Sequence, residues 1–419
     1  MVDVWLPYGN TEVCLTVPTK NFLGKVEPND KRGMETPQLE IERALMEPFG
    51  TKRLSEISTG EKVSIVVNSV KDSVLALLIL KSIFKELSKA GVKSKNVKII
   101  KGYDPLQGYA TLDELHLQSV EALREAELVT HDPEAGIYTD IGKTSFGTRV
   151  QVSRTFLESD VKILAGVLEP HPYAGYSGGG DGILPGVSNA ETIQQNLSMV
   201  TDPKACFGMV KDNPVREDMT EAAHLAEADF VLNVVKSPKG EAVKAFFGHP
   251  DEAFREGVKF ADEVYKAEVK SRADAVFISP GGFPLDSDLC GSCNGISKSS
   301  EIVKRNGVIV LVAECREGYG NDEFYKWIVE SKDLNWMERQ LRRRFTAGRY
   351  VAYSFMKALQ KGKVVLVSAL PDYYALRIPK LKTVRSVNEA LRYILDVTKR
   401  NAKVLAILYG NLSILKVKP

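Results

Sequence analysis

The chain has 419 residues, of which 44% are hydrophobic and 26% charged, with a formal net charge of +2. A single hydrophobic core stops growing at about 250–300 residues, so this length predicts two domains. The near-balanced charge excludes a bulk attraction to nucleic acid or to a membrane surface, and five cysteines, an odd number, argue against a disulfide framework.

Targeting and membrane signals are not visible in the sequence. The first residues lack the basic segment and apolar run of a signal peptide, and apolar runs such as 74–80 are far shorter than the ~20 residues that span a bilayer. We therefore expect a cytoplasmic protein whose partner is a small molecule, with no nucleic acid and no membrane among its partners. The oligomeric state is left open.

Strand and helix patterns alternate along the first part of the chain. Residues 62–67 have the composition of a buried strand, 73–90 that of a helix and 97–100 that of a second strand, which together form one βαβ unit. Residues 161–167 predict a further buried strand. The glycine-rich loop that follows leaves from its carboxyl end, the edge where ligands bind in open α/β sheets.

Helix-start signals follow this loop. Ser188 with Glu191 three positions later fits a capping box that opens a helix toward Met199, and Asn213-Pro214 predicts another helix start. Residues 230–235 predict a strand. A polar helix over 250–270 then separates this block from the next.

A second α/β pattern begins near Ser271. Residues 273–278 predict a strand, a Gly/Pro loop follows, a helix begins at Asp286, and 307–313 predict another strand. Residues 404–418 predict two short strands around the turn Gly410-Asn411, a weak hairpin signal. The whole pattern predicts an α/β fold of two domains with mostly parallel sheets, 1–270 and 271–401, with 402–419 as a segment that could complete the first domain.

A cationic run at 339–344 is the one candidate for a local basic patch. Trp336, Leu341 and Phe345 recur around it at helical spacing, so the arginines are predicted to form the solvated face of a helix.

The glycine-rich loop, residues 169–186, reads EPHPYAGYSGGGDGILPG. Residues 175–179 match the G-x-S-x-G nucleophile elbow with Ser177 as nucleophile, although glycines and a proline follow where that motif needs a helix. Alternatively, the backbone N–H groups around Gly178 and Gly179 could cradle an anion, although Asp181 stands where a phosphate loop would have lysine.

The third interpretation assigns His171 as the base of a proton transfer, flanked by Glu169 and Asp181, with the loop closing over a small substrate. The alternative without function is a tight, strained turn that carries a surface histidine, since most histidines have no catalytic role.

Several sequence blocks resemble the nickel-dependent lactate racemase family over essentially the whole chain. The blocks are the loop itself, HD at 131–132, GTRVQVSR at 147–154, GGFPLD at 281–286 and VAECREGYG at 312–320. The resemblance implies an N-terminal domain and a C-terminal α/β domain with the active site between them. It also implies a nickel-pincer nucleotide tethered to lysine, a histidine on nickel, and two acid/base histidines acting on a 2-hydroxy acid.

The positions that match the family's functional residues are mostly substituted. Only the first histidine of the loop, His171, is present, and the second acid/base histidine falls at Asp104. The tethering lysine falls at Asp181, the nickel-binding histidine at Leu197 and the anion-binding arginine at Asp72. The remaining matched positions fall at Cys290, Gly291 and Asn294. These substitutions predict that the fold is kept while the standard nickel-pincer site is lost.

The substitutions leave a more acidic set of residues near His171: Asp72, Asp104, Glu169 and Asp181. Such a set suits a divalent cation or a cationic ligand, or else the carboxylates are solvated or paired with Lys71 and Arg154.

One C-x-x-C pair, Cys290 and Cys293, is predicted at a helix start, where the helix dipole would lower a thiol pKa. Two core-facing thiols are the alternative.

The sequence thus favours an isomerase of the lactate racemase family, acting on a small 2-hydroxy acid without the standard cofactor. His171 and Asp104 are the candidate catalytic residues, and the candidate residues for binding a cofactor or ligand are Asp72, Ser177, Gly178, Gly179 and Asp181. The alternative is a non-racemase relative that binds a phosphorylated or cationic small molecule, or a divalent metal, at the same site.

Overall fold

The computed structural model describes residues 1–56, 62–331, 333–378, 381–398 and 400–417. The strands are β1 Val2–Tyr8, β2 Thr11–Val17, β3 Phe22–Val26, β4 Val63–Asn68, β5 Val97–Lys101, β6 Tyr103–Asp104, β7 Gly108–Tyr109, β8 Glu127–Thr130, β9 Tyr138–Lys143, β10 Arg149–Ser153, β11 Val161–Leu168, β12 Pro170–His171, β13 Gly175–Tyr176, β14 Phe230–Lys236, β15 Ala242–Gly248, β16 Lys266–Val269, β17 Ala273–Ile278, β18 Val303–Val312, β19 Lys363–Val367, β20 Leu381–Val384, β21 Val404–Ile407 and β22 Ile414–Val417. The helices are α1 Pro37–Met46, α2 Ser73–Lys89, α3 Glu114–Gln118, α4 Arg154–Leu157, α5 Ala190–Leu197, α6 Pro214–Leu225, α7 Pro250–Tyr265, α8 Leu289–Ser292, α9 Ile296–Ile302, α10 Asp322–Glu330, α11 Leu334–Arg343, α12 Ala347–Lys361, α13 Asp372–Leu376 and α14 Val387–Val397.

The chain divides into two compact units, one made of Met1–Asn29 with Tyr265–Pro419 and the other of Asp30–Val264. We call them the terminal unit and the inserted unit. Each is built around a six-stranded sheet. The prediction of an α/β fold with mostly parallel sheets is confirmed.

The sheet of the inserted unit has the strand order β15-β14-β11-β4-β5-β8, parallel throughout except for β15. Its central strands β4 and β11 are buried along their whole length. Both are mainly apolar and are buried on both faces, as is typical of parallel strands covered by helices. The carboxyl end of β11 leads directly into the glycine-rich loop.

The sheet of the terminal unit has the strand order β20-β19-β18-β17-β21-β3, and every pair in it is parallel. Its core combines these strands with α14 and with the hairpin of β1 and β2, in which Leu6 and Leu15 are fully buried.

The units differ from the predicted domain ranges 1–270 and 271–401. Strand β3 pairs with β21, which also pairs with β17, so residues 1–29 lie in the terminal unit. The last segment, predicted as 402–419, contributes β21, which pairs with β3 and β17, and β22, which pairs with β16. Residues 418–419 are outside the described part of the chain.

Most predicted elements lie where the patterns placed them, among them β4, α2, β5, β11, β14 and β17. Asn213 caps α6 as predicted: its side chain accepts from the backbone N–H groups of Val215 and Arg216 at 3.1 and 3.3 Å. The basic run at 339–344 also lies as expected, with exposed arginines beside buried Leu341 and Phe345.

Four element predictions are corrected by hydrogen bonding. Helix α5 is capped by Asn189, which accepts from Thr192 N–H at 2.9 Å, and not by Ser188. Asp286 does not start a helix, because its carboxylate accepts from Gly9 N–H at 2.7 Å and α8 begins after Asp288. Helix α7 ends at Tyr265, where β16 follows. Strands β21 and β22 form no hairpin, because β22 pairs with β16.

Within the described ranges, no helix has both the length and the apolarity that crossing a lipid bilayer requires.

Candidate functional site

The glycine-rich loop is a largely buried irregular segment of the inserted unit. Residues 173–188 are all buried, and β12 and β13 pair within the loop, Pro170 opposite Tyr176 and His171 opposite Gly175. His171 itself is only 5% exposed. The alternative of a surface histidine on a solvated turn is therefore wrong.

Two glycines explain the bare backbone of the loop. Gly175 has φ +77°, and a Cβ there would lie 2.1 Å from the carbonyl oxygen of Met209. Gly178 has φ +85°, and a Cβ there would lie 2.3 Å from Oδ1 of Asn233. Both positions combine left-handed backbone with close approach, so only glycine fits.

Arg216, on α6, holds the loop in place. Its guanidinium donates to the carbonyl oxygens of Ala174 at 3.0 Å, Gly178 at 2.9 Å and Tyr176. The side chain is 1% exposed, and its guanidinium carbon lies 4.9 Å from the centre of the Phe254 ring. Burial lowers the pKa of Arg216, while the charge of Asp181 opposes that shift.

Arg216 was not among the residues predicted from the sequence. One signal was present: it occupies the third position of α6, where the helix dipole favours acidic residues over cations. A cation at that position indicates a stabilising interaction outside the helix. Here the interaction is with the carbonyl oxygens of the loop.

Asp181 points into its own loop. Its Oδ2 accepts from Gly178 N–H at 2.6 Å, and the next N–H, of Gly179, donates to Asn233 Oδ1 at 3.2 Å. The anion-cradle interpretation therefore loses its donors, because side chains of the protein already occupy these two. Burial raises the pKa of Asp181 to about 6, against the opposing effect of the Arg216 charge.

Ser177 is a fully buried structural residue. Its hydroxyl donates to Val167 O at 2.7 Å and accepts from Glu169 N–H at 3.1 Å. Both partners are backbone groups, so no base prepares this oxygen for attack, and the nucleophile-elbow interpretation fails. The neighbouring carboxylate of Glu169 forms an ion pair with Lys236 at 3.3 Å.

His171 is fixed in one tautomer by the loop. Its Nδ1 accepts from Ala174 N–H at 3.2 Å, so the neutral ring carries its proton on Nε2. Its ring packs edge-on against Tyr173, with centroids 4.4 Å apart. Burial lowers the pKa of His171 to about 4; the negative charge of Asp104 acts in the opposite direction, and the Arg216 charge adds to the decrease.

Asp104 lies beyond the carboxyl end of β5 and is 3% exposed. Its Oδ2 accepts from the Ser69 hydroxyl at 3.0 Å, and its Oδ1 accepts from the N–H groups of Leu106 and Gln107 at 2.7 and 2.9 Å. The charge of Asp104 raises the pKa of both His171 and Asp181. These three side chains therefore form one electrostatic cluster, which we call the buried triad.

Asp72 has a structural role and is not part of the buried triad. It is exposed and caps α2, accepting from the N–H groups of Val74 and Leu75 at 2.9 and 3.2 Å. The predicted neutralising cations also have other partners: Lys71 donates to Tyr109 O at 2.8 Å, and Arg154 pairs with Glu158 at 3.0 Å.

The residues at the matched cofactor positions do not fit a nickel-pincer nucleotide. Asp181 has no amine for a covalent tether, and its carboxylate is bound to Gly178 N–H. Leu197 is apolar and 1% exposed, so it offers nickel no electron pair. Across the described ranges, no three histidine, cysteine or acidic side chains are arranged to hold a metal ion.

The C-x-x-C pair lies in the terminal unit, where α8 is a four-residue helix. Burial raises the pKa of Cys290 to about 12 and also raises that of Cys293. The prediction of a lowered thiol pKa is wrong, because so short a helix cannot offset the loss of solvent around the thiols.

Comparison with known proteins identifies the domains. Residues 8–208 match the lactate racemase N-terminal domain and residues 268–415 the lactate racemase C-terminal domain. The chain is 30% identical over 416 residues to a lactate racemase of Thermoanaerobacterium thermosaccharolyticum, covering 96% of this chain and 97% of that protein. It is 24% identical over 421 residues to a lactate racemase of Lactiplantibacillus plantarum, covering 97% and 98%.

Solved structures agree with this assignment. The lactate racemase apoprotein from T. thermosaccharolyticum superimposes with a TM-score of 0.86 at 27% identity, covering 99% of this chain and 100% of the other. A crystal structure of a Thermotoga maritima protein, at 16% identity, shares the fold with a TM-score of 0.62, covering 93% and 100%. The fold thus defines a two-domain α/β protein of the lactate racemase type. The chain belongs to the lactate racemase family.

Proposed function

We propose that this protein racemises or epimerises a small 2-hydroxy acid by acid–base chemistry at His171, without the nickel-pincer nucleotide. Membership of the lactate racemase family supports the isomerase class. The observation that carries the proposal is the buried imidazole of His171, on which the charge of Asp104 acts.

Two members of the buried triad, His171 and Asp104, have distinct parts in this proposal. With a pKa of about 4, His171 is neutral at pH 7. Its only basic nitrogen, Nδ1, accepts from Ala174 N–H, so taking up the C2 proton of the substrate requires that this hydrogen bond be released. Asp104 stabilises the imidazolium that then forms, because its charge favours the protonated ring. Asp104 acts through His171 and is a positioning residue, since its oxygens are already bound by Ser69 and two backbone N–H groups.

The test is exchange of the C2 hydrogen in deuterium oxide. The purified protein is incubated with (S)-lactate and a series of other small 2-hydroxy acids, and products are followed by proton NMR and chiral chromatography. Acid–base chemistry at C2 predicts that deuterium enters as the stereocentre inverts. His171→Asn keeps an acceptor for Ala174 N–H but cannot shuttle the proton, so we expect a rate loss of about 10²–10⁴.

The matched control is His249→Asn, a change at an exposed histidine of the inserted unit, which should leave the rate unchanged. Elemental analysis of the same protein measures nickel. Inversion without deuterium uptake, in protein that holds nickel, would contradict the proposal.

The second candidate is a relative that binds a cationic small molecule without converting a hydroxy acid. The negative charges of Asp104 and Asp181 favour it, since both carboxylates are buried and the charge of Asp104 acts on His171 and on Asp181. A phosphorylated ligand has less support because Asp181 and Asn233 occupy the N–H groups of Gly178 and Gly179. A rise in melting temperature with small amines, but not with phosphates or divalent cations, and no inversion of any hydroxy acid would favour this candidate.

A further inference from the structure

A surface cavity of about 570 Å³ lies between α6 and α7 in the inserted unit, behind the glycine-rich loop. Its size falls within the range of about 300–1,000 Å³ of small-molecule sites. Its walls are mainly apolar, with Val210, Ala223, Phe254 and Val258 among the lining residues. Gly180 and Arg216 also line it, and Asp181 of the buried triad directly follows Gly180.

The acidic side chains that line the cavity are engaged elsewhere. Glu217 accepts from Asp212 N–H at 2.7 Å, Glu221 accepts from both Ser145 N–H and its hydroxyl at 2.6 Å, and Asp251 pairs with His224 at 2.9 Å. These carboxylates keep their negative charge but already have hydrogen-bond partners within the protein.

The cations of the lining are less engaged. Lys211 is exposed and has no hydrogen bond or ion pair among the described residues, and Arg255 has only a 3.8 Å contact with Glu256. Lys259 shares the same Glu256 at 2.6 Å. An apolar cavity lined by exposed cations, of which Lys211 has no partner among the described residues and Arg255 only a long contact, is complementary to a small molecule that joins an apolar body to one carboxylate.

We propose that this cavity is a binding site for a small amphipathic carboxylate, and that its occupancy restrains the glycine-rich loop. The apolar body fills the space between Phe254 and Val258, and the carboxylate reaches Lys211 and Arg255. The link to the loop is Arg216, which lines the cavity and donates to three loop carbonyls. This site does not depend on the reaction proposed above.

The probe is 4-phenylbutyrate, with the neutral alcohol 4-phenylbutanol as its charge control. Isothermal titration calorimetry on the full chain should give a Kd on the order of 1 mM for the acid, as expected for a fragment of this size. The alcohol should bind at least about tenfold more weakly, because it cannot pair with the rim cations.

Two sets of variants localise the binding. Lys211→Gln with Arg255→Gln should weaken binding of the acid by about tenfold and leave binding of the alcohol unchanged. Val258→Glu places a charge in the apolar wall and should abolish binding of both compounds. Lys81→Gln, at an exposed lysine of α2 outside the cavity, is the matched control and should bind the acid normally.

Hydrogen exchange tests the link to the loop. Saturating 4-phenylbutyrate should slow amide exchange over residues 174–182 by about threefold or more, whereas exchange in the terminal unit should not change. Equal binding of the acid and the alcohol, or normal binding by the Val258→Glu variant, would overturn the site. Binding without slower exchange in the loop would overturn the coupling.

Discussion

At the scale of single residues, the buried carboxylate of Asp181 makes stability depend on pH. Burial raises its pKa to about 6, whereas an unfolded chain has a value near 3.9. The folded protein therefore holds a proton over a pH range where the unfolded chain has lost it. The contribution of Asp181 to stability is present at low pH and is lost as the pH rises from about 4 to about 6.

Asp181→Asn removes this titration while keeping an oxygen for Gly178 N–H. We expect the variant to be more stable than the wild type by about 1–3 kcal/mol at pH 7, with the difference vanishing near pH 4. Urea denaturation across this pH range measures it, with Glu125→Gln at an exposed position as the control. The titration of His171 is common to both proteins and cancels to first order. A difference that grows toward low pH would show that the sign is wrong.

Arg216 permits a second prediction at this scale. Arg216→Met keeps the apolar stem but leaves three loop carbonyls without their donor. We expect a loss of about 3–5 kcal/mol in the free energy of unfolding, measured by chemical denaturation, because the freed groups stay buried. Arg124→Met removes one hydrogen bond at an exposed site and should cost less than about 1 kcal/mol. Equal losses in the two variants would contradict the role of Arg216.

At the scale of the element, variants of the N-cap of α2 can distinguish a structural role of Asp72 from a ligand-binding role. As an N-cap, Asp72 is replaceable by another good cap. Asp72→Ala should cost about 1 kcal/mol of stability, and Asp72→Ser should restore most of that loss. Chemical denaturation of the two variants gives both values. If the hydroxy-acid reaction fails equally in both variants while Ser restores stability, Asp72 has a role in binding after all.

The strength of a local signal explains which elements could be predicted. The strands β4 and β11 are short, mainly apolar runs, a local pattern typical of buried parallel strands. The cap of α5 was misassigned because Ser188 and Asn189 are both good caps. What separates them is the bond from the Ser188 hydroxyl to Ile183 O, five residues earlier, at 2.8 Å, which depends on the conformation of the loop and not on the spacing of a cap motif.

The residues of the candidate site likewise include some that local sequence predicts and some that it does not. His171 and Asp104 each follow a buried parallel strand, and such strand ends share one edge of a sheet, which makes their proximity predictable. Arg216 lies on α6, about 40 residues after the loop carbonyls to which it donates, and this contact forms only in the folded chain. The Asp181 side chain is held within its own loop by the N–H of Gly178, and the spacing of residues in the sequence does not predict this bond.

At the scale of the whole molecule, the domain boundary depends on pairing between the two ends of the chain. Strand β3 pairs with β21, nearly 380 residues later, and such a partner leaves no trace in local composition. The chain therefore enters and leaves the inserted unit once. Lys31, near the first residue of the inserted unit, and Glu263, near its last, form an ion pair with Nζ and Oε2 2.5 Å apart. The two ends of the inserted unit therefore lie close together.

This arrangement predicts which fragments fold. A polypeptide that joins residues 1–29 to 265–419 through a short Gly/Ser linker retains all six strands of its sheet, β20-β19-β18-β17-β21-β3. It should unfold cooperatively on heating, as should a separate fragment of 30–264. The fragment 271–401 lacks β21 and β3, which leaves β17 as an unprotected apolar edge, so we expect aggregation and no cooperative transition. Circular dichroism and sedimentation of the three fragments decide the matter. A soluble, cooperatively folded 271–401 fragment would contradict this prediction, because its four-stranded sheet would then be stable without β21 and β3.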